Sequence, residues 1–155
     1  MLHRHKKLNQ WLQFGGHVEL NETPWDAVVH EIAEESGYEI RQLKVLQPSL
    51  RLTKISNAIL HPYPIAILTH RFGDIDHYHT DIAYAFVTHE SPEGSLGEGE
   101  STEIRSFTAK EIAAIPREEI PENVRELGLF ALENCLTGWS YIDTVDFQTS
   151  DPSSI

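Results

Sequence analysis

Cations are scarce in this chain: 12 Lys and Arg stand against 24 Asp and Glu, a net charge of −12. Without a basic patch, neither a nucleic-acid duplex nor an anionic membrane is an expected partner. A small anionic substrate would have to be met through a metal ion. Cysteine is limited to Cys135, which excludes an intrachain disulfide and suits a reducing cytosol. Placed in a predicted helix, Cys135 reads as buried filler rather than a nucleophile. No apolar run reaches about 18 residues and no signal-type apolar segment occurs, so a soluble, cytoplasmic protein is expected. Internal repeats are also missing. With 155 residues and 40% apolar content, the chain is long enough for one self-supporting core.

What the chain has in excess is carboxylate, concentrated between Gly16 and Tyr38. Thr23 is a predicted N-cap, Pro24 suits the first helical position, Asp26 falls where a capping-box acid reaches back, and Gly37 supplies the stop. At 100° per residue, Glu31, Glu34 and Glu35 fall within an arc of about 100° on one face. Trp25, Val28, Val29 and Ile32 make a separate apolar stripe beside it. Like charges three and four residues apart repel by a few tenths of a kcal/mol per pair, so the helix gains nothing from them for its own stability. A divalent cation reverses that sign. The competing reading is an ordinary solvated Glu-rich face, which does not account for the fixed glycines or for Glu22.

Residues 16–38 read Gly, five residues, Glu22, seven residues, His30-Glu31, an aliphatic, any residue, Glu34-Glu35, any residue, Gly37 and an apolar residue. This resembles the signature of the Nudix hydrolases at every defining position but one, His30, where that family has arginine. The stretch from Lys6 through Trp11 to Glu19 is also similar to the strand and loop that lead into the Nudix box. The resemblance implies an α/β fold, an α/β/α sandwich with a mixed β-sheet between helices. It implies hydrolysis of a nucleoside diphosphate linked to another group, with Mg2+ or Mn2+ bound and water attacking phosphorus. Carried over by position, Glu31, Glu34 and Glu35 are the catalytic, metal-binding set, with a backbone carbonyl at Gly16 close to the metal and Gly15 on the substrate side. Hard cations take such oxygen ligands and share them with phosphate. Glu22 and His30 are the orienting pair. Histidine has a shorter reach than arginine and carries full charge only below about pH 6.5, so Glu31 is expected to be held less firmly. Two outcomes follow: an enzyme of reduced or pH-altered activity, favoured because all three glutamates are kept, or a nucleotide-binding module without turnover.

Along the chain, Leu2 to Phe14 reads as two short strands around Leu8–Gln10. The family normally has one more strand before this point, so the sheet is expected to lack its first N-terminal strand. An uncovered edge would invite pairing with a second copy, a homodimer. Tyr38 to Leu46 and Ser49 to Leu60 look like strands, and Tyr63 to Phe72 is the cleanest buried one. His77 to Thr88 is another, and Pro92 to Ser101 a loop. Helices are predicted at Ala109–Ala114 and Glu122–Leu136. The pattern fades from Gly138, so the domain is placed at residues 1–138, with 139–155 a partly disordered extension.

Two further groups bear on function. On a strand, His77, His79 and Asp81 share one face and Tyr78, Thr80 and Ile82 the other. Nucleotide or phosphate contact is the favoured role for the first three. The alternatives are ordinary structural polar residues or an independent two-His-one-carboxylate metal site. A histidine-based metalloprotein would, however, leave the glutamate cluster unexplained. An acid outside the box often completes a Nudix site, and Glu103 is the first choice before Glu100 and Glu98. Among aromatic and ring side chains, Trp25 belongs to the apolar stripe, and Trp11 either lines the cleft or is buried in the sheet. His3 and His5 read as exposed.

Overall fold

The structure is a computed structural model that describes residues 1–71 and 77–147. Its elements run β1 (Leu2–His5), β2 (Gln10–Leu12), α1 (Pro24–Ser36), β3 (Lys44–Gln47), β4 (Ala66–Arg71), β5 (Tyr78–Ala83), β6 (Phe86–Val87), β7 (Ile104–Arg105), α2 (Ala109–Ala114), α3 (Glu122–Phe130) and β8 (Ser140–Asp143). Three small sheets are ordered β2-β1-β7, β6-β3-β8 and β4-β5. The α/β class is that implied by the sequence. Every ladder among the described residues is antiparallel, so the sheet enters as three antiparallel ribbons.

The hairpin of β1 and β2 turns at Asn9, whose φ of 53° is one that asparagine tolerates better than most residues. Leu2 and Trp11 pack there with Ile112 of α2 and Val124 of α3. Trp11 is thus sheet core, set edge-to-face against Phe107 at 5.0 Å between ring centres. Arg125 on α3 donates to the carbonyls of Ile112 and Ile115 at 2.6 and 2.7 Å, satisfying the end of α2 that would otherwise be left unpaired.

The start of α1 is fixed by a reciprocal cap. Thr23 Oγ1 accepts the Asp26 N–H at 3.2 Å, and Asp26 Oδ2 accepts the Thr23 N–H at 2.9 Å. Trp25, fully buried, meets the rings of Tyr84, Phe86 and Phe147, while Ile32 packs with Tyr38 and Leu43. The opposite side of the β3 sheet is covered through Leu46, which packs against Ala85 and the fully buried Cys135. Cys135 lies in a π-helical stretch, Ala131–Cys135, that prolongs α3 into a last turn at Leu136–Gly138. Residues of β3 are therefore covered on both faces: Val45, Leu46 and Gln47 are all buried.

Four sequence expectations are corrected. Ser49–Leu60 is not a strand; Leu50, Leu52 and Ile55 are exposed and the segment joins no ladder. Alternation of apolar residues does not make a strand without a partner edge. The strand expected at Tyr63 to Phe72 begins at Ala66 and is half-exposed rather than buried, because its two-stranded ribbon is covered on one face only; Phe72 lies outside the described residues. The pattern does not end at Gly138, since β8 pairs along β3 from Lys44↔Asp143 to Gln47↔Ser140. Residues 148–155 of the expected partly disordered extension lie outside the described residues. Finally, His3 is buried at 3% exposure, because both Leu2 and His3 are covered and simple alternation fails at β1.

Gly37 ends α1 in the left-handed conformation at φ 72°, and a Cβ there would stand 2.9 Å from the Gly94 carbonyl oxygen. Gly94 N–H in turn donates to the Gly37 carbonyl at 2.9 Å, so this point docks the 92–101 loop on the helix end. Gly37→Ala is expected to destabilise the protein by at least about 1–2 kcal/mol, read as a fall in thermal midpoint of several degrees. An unchanged midpoint would show that the loop is not held there.

Candidate active site: a carboxylate face against a glycine turn

Glu31, Glu34 and Glu35 project from the flank of α1 beside its buried stripe, and the Gly15–Gly16 turn after β2 lies across them. Gly15 N–H donates to Glu35 Oε2 at 2.7 Å. The Glu31 carboxyl rests over Gly16, where a Cβ would overlap its present position, so a side chain at position 16 would require the Glu31 carboxyl to move. Glu35 is 8% exposed, Glu31 is half-buried and Glu34 is exposed.

Burial is the main cause that pushes the Glu35 carboxyl up to about 7, opposed by the Gly15 hydrogen bond and reinforced by the charges of Glu31, Glu100 and Glu34. Burial also raises Glu31, with His30 opposing and Glu34, Glu100 and Glu22 adding to the rise. The face therefore carries more negative charge than its surroundings stabilise. Behind it, the buried His3 sets Nδ1 3.7 Å from Glu35 Oε1, without a hydrogen bond. Desolvation, with the neighbouring His5 adding, lowers the His3 pKa, so no cation compensates Glu35 from that side near neutral pH.

The His30 ring pairs with Glu22 and Glu34 rather than with the Glu31 carboxyl. Its Nδ1 lies 3.3 Å from Glu22 Oε1 and its Nε2 3.1 Å from Glu34 Oε1. Both contacts are hydrogen bonds only when both ring nitrogens carry protons. Hydrogen bonding to Glu34, aided by the charges of Glu34 and Glu22, raises the His30 pKa accordingly. The imidazole thus ties two box acids together across the helix start, and the residue it steadies is Glu34.

Of the loop acids, Glu98 and Glu103 are exposed and Glu100 is half-buried. Glu103 contributes its carbonyl to the Arg4 N–H at 2.8 Å, as a strand-edge residue does. Glu100 is brought to the helix by Gly97, whose N–H donates to the Glu34 carbonyl at 2.8 Å, and its charge acts on both Glu31 and Glu35. Geometry thus favours the second choice made from the sequence.

The β4–β5 ribbon brings His77 and His79 together, with ring centres 4.8 Å apart, and sends Tyr78 and Thr80 to the exposed side. Two imidazoles not singled out in the sequence join them. His70 lies opposite His79 in the ladder, and His17, next to Gly16, is 5.4 Å from His79 between ring centres. Asp81 is drawn to His70, with Oδ2 3.4 Å from Nδ1. Cross-strand register, which a sequence does not print, hid His70.

Among the described residues no three His, Cys, Asp or Glu groups form a ready-made metal site. Glu35 faces Gly15, Glu34 faces His30 and Glu31 lies over Gly16. The donor chemistry nevertheless fits a hard dication: three carboxylates and a glycine turn share one helix flank, and two of those carboxyls are held back from ionising by burial and mutual charge. Side-chain rotation of Glu31 and Glu34 would be needed to converge them.

The NUDIX domain family matches residues 1–127 of the chain. A solved structure described as a hydrolase of the NUDIX family from Clostridium perfringens is similar at 30% identity and a TM-score of 0.69, over 85% of this chain and 86% of that one. No curated protein matches. No helix among the described residues is long and apolar enough to cross a membrane.

Because the folded-state pKa of Glu35 is raised above its ordinary 4.5 to about 7, folding favours its neutral acid. That stability is complete below about pH 4.5 and is lost as pH rises through 7, a swing on the order of 3 kcal/mol for this group alone. Glu31 and His30 shift in the same direction and His3 in the opposite one. Glu35→Gln keeps an acceptor for Gly15 and removes the charge. It should raise the thermal midpoint of the metal-free protein at about pH 8 by several degrees and leave it nearly unchanged at about pH 5. A variant less stable than wild type at the higher pH would contradict the assignment.

Proposed function

The chain belongs to the NUDIX domain family, and from that premise we propose that it hydrolyses the pyrophosphate linkage of a nucleoside diphosphate joined to another group. The observation that supports this most is the carboxylate face itself. Glu31, Glu34 and Glu35 are retained, Glu31 and Glu35 lie against the Gly15–Gly16 turn, and the face is left with a charge that Mg2+ or Mn2+ would balance. When bound, such an ion neutralises phosphate charge and lowers the pKa of the attacking water.

The chain's own residues supply the rest. Gly15 holds the Glu35 carboxyl through its N–H, and His30 holds Glu34 to Glu22 so that the exposed acid keeps a defined position. Glu100, delivered by the Gly97 contact, is the fourth acid in preference to Glu103. Substrate contact falls to the Gly15 turn and to His77, His79 and Asp81 on the adjoining ribbon, which reaches that turn through His17. The substrate is a small nucleotide, and the reaction breaks one P–O bond by addition of water across it.

A second reading, a module that binds a nucleotide without turnover, is favoured by one observation: His30 bridges its two acids fully only as an imidazolium, where arginine would do so at any pH. A panel of nucleoside triphosphates, sugar nucleotides, ADP-ribose and dinucleoside polyphosphates, assayed with Mg2+ and Mn2+ for released phosphate or monophosphate, separates the two. Turnover of at least one compound class is expected, with His30→Arg faster and Glu100→Gln slower by more than about tenfold. No product from any compound, in wild type and His30→Arg alike, would favour the binding module.

A further inference from the structure

His3, on β1, is 3% exposed, and its buried Nδ1 has no hydrogen-bond partner among the described residues. A buried polar nitrogen left unpaired costs stability, and native folds keep few of them. Apolar packing alone does not explain this one. A leucine would fill similar space against Phe14, whose ring stands 5.4 Å from that of His3 between centres, and would leave no orphaned atom.

That nitrogen faces Glu35 Oε1 at 3.7 Å, and the two side chains are only 3% and 10% accessible, so water competes little for the contact. The other carboxyl oxygen, Oε2, is already held by Gly15 N–H at 2.7 Å. From α1 and the 92–101 loop, the charges acting on this carboxyl are those of Glu31, Glu34 and Glu100, which repel it. A donor for Oε1 has to come from the β1 side. His5, two residues on, is engaged elsewhere, since its Nδ1 accepts the Leu8 N–H at 3.2 Å within the hairpin.

We propose that His3 is a positioning residue for Glu35: Nδ1–H takes Oε1 while Gly15 N–H takes Oε2, which fixes the plane of the carboxyl from two sides. An N–H···O bond extends to about 3.2 Å, so the gap to be closed is about half an ångström. A small swing of the carboxyl about the oxygen held by Gly15 covers it. His3 itself stays in place, because β1 is the central strand of its sheet, with His3 opposite Leu12 of β2 and Ile104 of β7. A side chain mounted on a paired strand is held more firmly than one on a loop. Burial, with the charge of His5 adding, favours the neutral imidazole, which has one N–H to give, and Glu35 draws it to Nδ1. The assignment rests on the reading of Glu35 as one of the hydrolytic carboxylates and adds the group that aims it. Acting through Glu35 rather than on the substrate, His3 bears on kcat and not on KM.

Three substitutions in the full chain separate positioning from packing. Asparagine puts its amide nitrogen near the place of Nδ1, glutamine puts it near that of Nε2, and leucine keeps only bulk. With Mg2+ and a compound that the wild type turns over, His3→Leu and His3→Gln should lower kcat by at least about tenfold and leave KM within about threefold, while His3→Asn recovers most of the rate. Melting curves of the metal-free variants are the folding control, and His3→Leu, rid of the unpaired nitrogen, should melt no lower than wild type. A second measurement needs neither turnover nor a His3 variant that folds. Nitrogen NMR of histidine-labelled, metal-free wild type at about pH 8 should show His3 as the Nδ1–H tautomer, with that resonance moved in Glu35→Gln. His3 found as the Nε2–H tautomer, or a folded His3→Leu with the kcat of wild type, would overturn the proposal. Wild type inert on every compound counts against the hydrolase reading, and the tautomer then decides the place of His3 by itself.

Discussion

The hydrogen bond from Gly15 N–H to Glu35 Oε2 is the contact on which the site depends. It joins the turn after β2 to the last turn of α1 and holds a carboxyl that burial and three neighbouring acids push up to about 7. One backbone donor offsets part of that penalty and does not cancel it. The protein therefore folds around a carboxylate face that is deficient in positive charge, and the deficiency is the physical basis for expecting a divalent cation there. Gly16 leaves the Glu31 carboxyl where it lies, since a Cβ at that position would displace it.

The rest of the architecture holds α1 in place for this contact. Trp25 and Ile32 anchor its buried side. Thr23 and Asp26 fix its first turn, a cap worth about 1 kcal/mol. At its end the 92–101 loop docks through Gly94 and Gly97, carrying Glu100 with it. On the far side of β3, the π-helical stretch brings Cys135 under Leu46 and directs the chain into β8. Each attachment keeps the acids close together, where they repel, so packing energy sustains an arrangement that the charges alone would spread.

Local patterns carried much of this in the sequence. The cap, the stop at Gly37, the Trp25 stripe and the glutamate spacing are all consequences of one helical period, and the structure has them where the residues place them. The hairpin around Asn9 and the helices from Ala109 and Glu122 are legible for the same reason. What was hidden depends on pairing between distant segments. His70 meets His79 only through ladder register, and β8 exists because β3 offers it an edge. Ser49–Leu60 alternates as a strand does and finds no such edge. His3 is buried against Phe14 and Glu35, contacts that alternation along β1 does not show, and Glu100 comes near the helix through a Gly97 contact to Glu34 that composition does not encode. His30 was legible as a departure, but the side chains its ring nitrogens reach, Glu22 and Glu34, were not.

With its pKa raised to about 7 by burial, the Glu35 carboxyl is expected to give up a proton when a dication binds the face. Calorimetric titration of Mn2+ into the metal-free protein at about pH 7, in two buffers of different ionisation enthalpy, measures proton release on binding directly. Net release of a substantial fraction of a proton per ion bound is expected, abolished in Glu35→Gln. Binding with no proton release, or the same release from the variant, would contradict it.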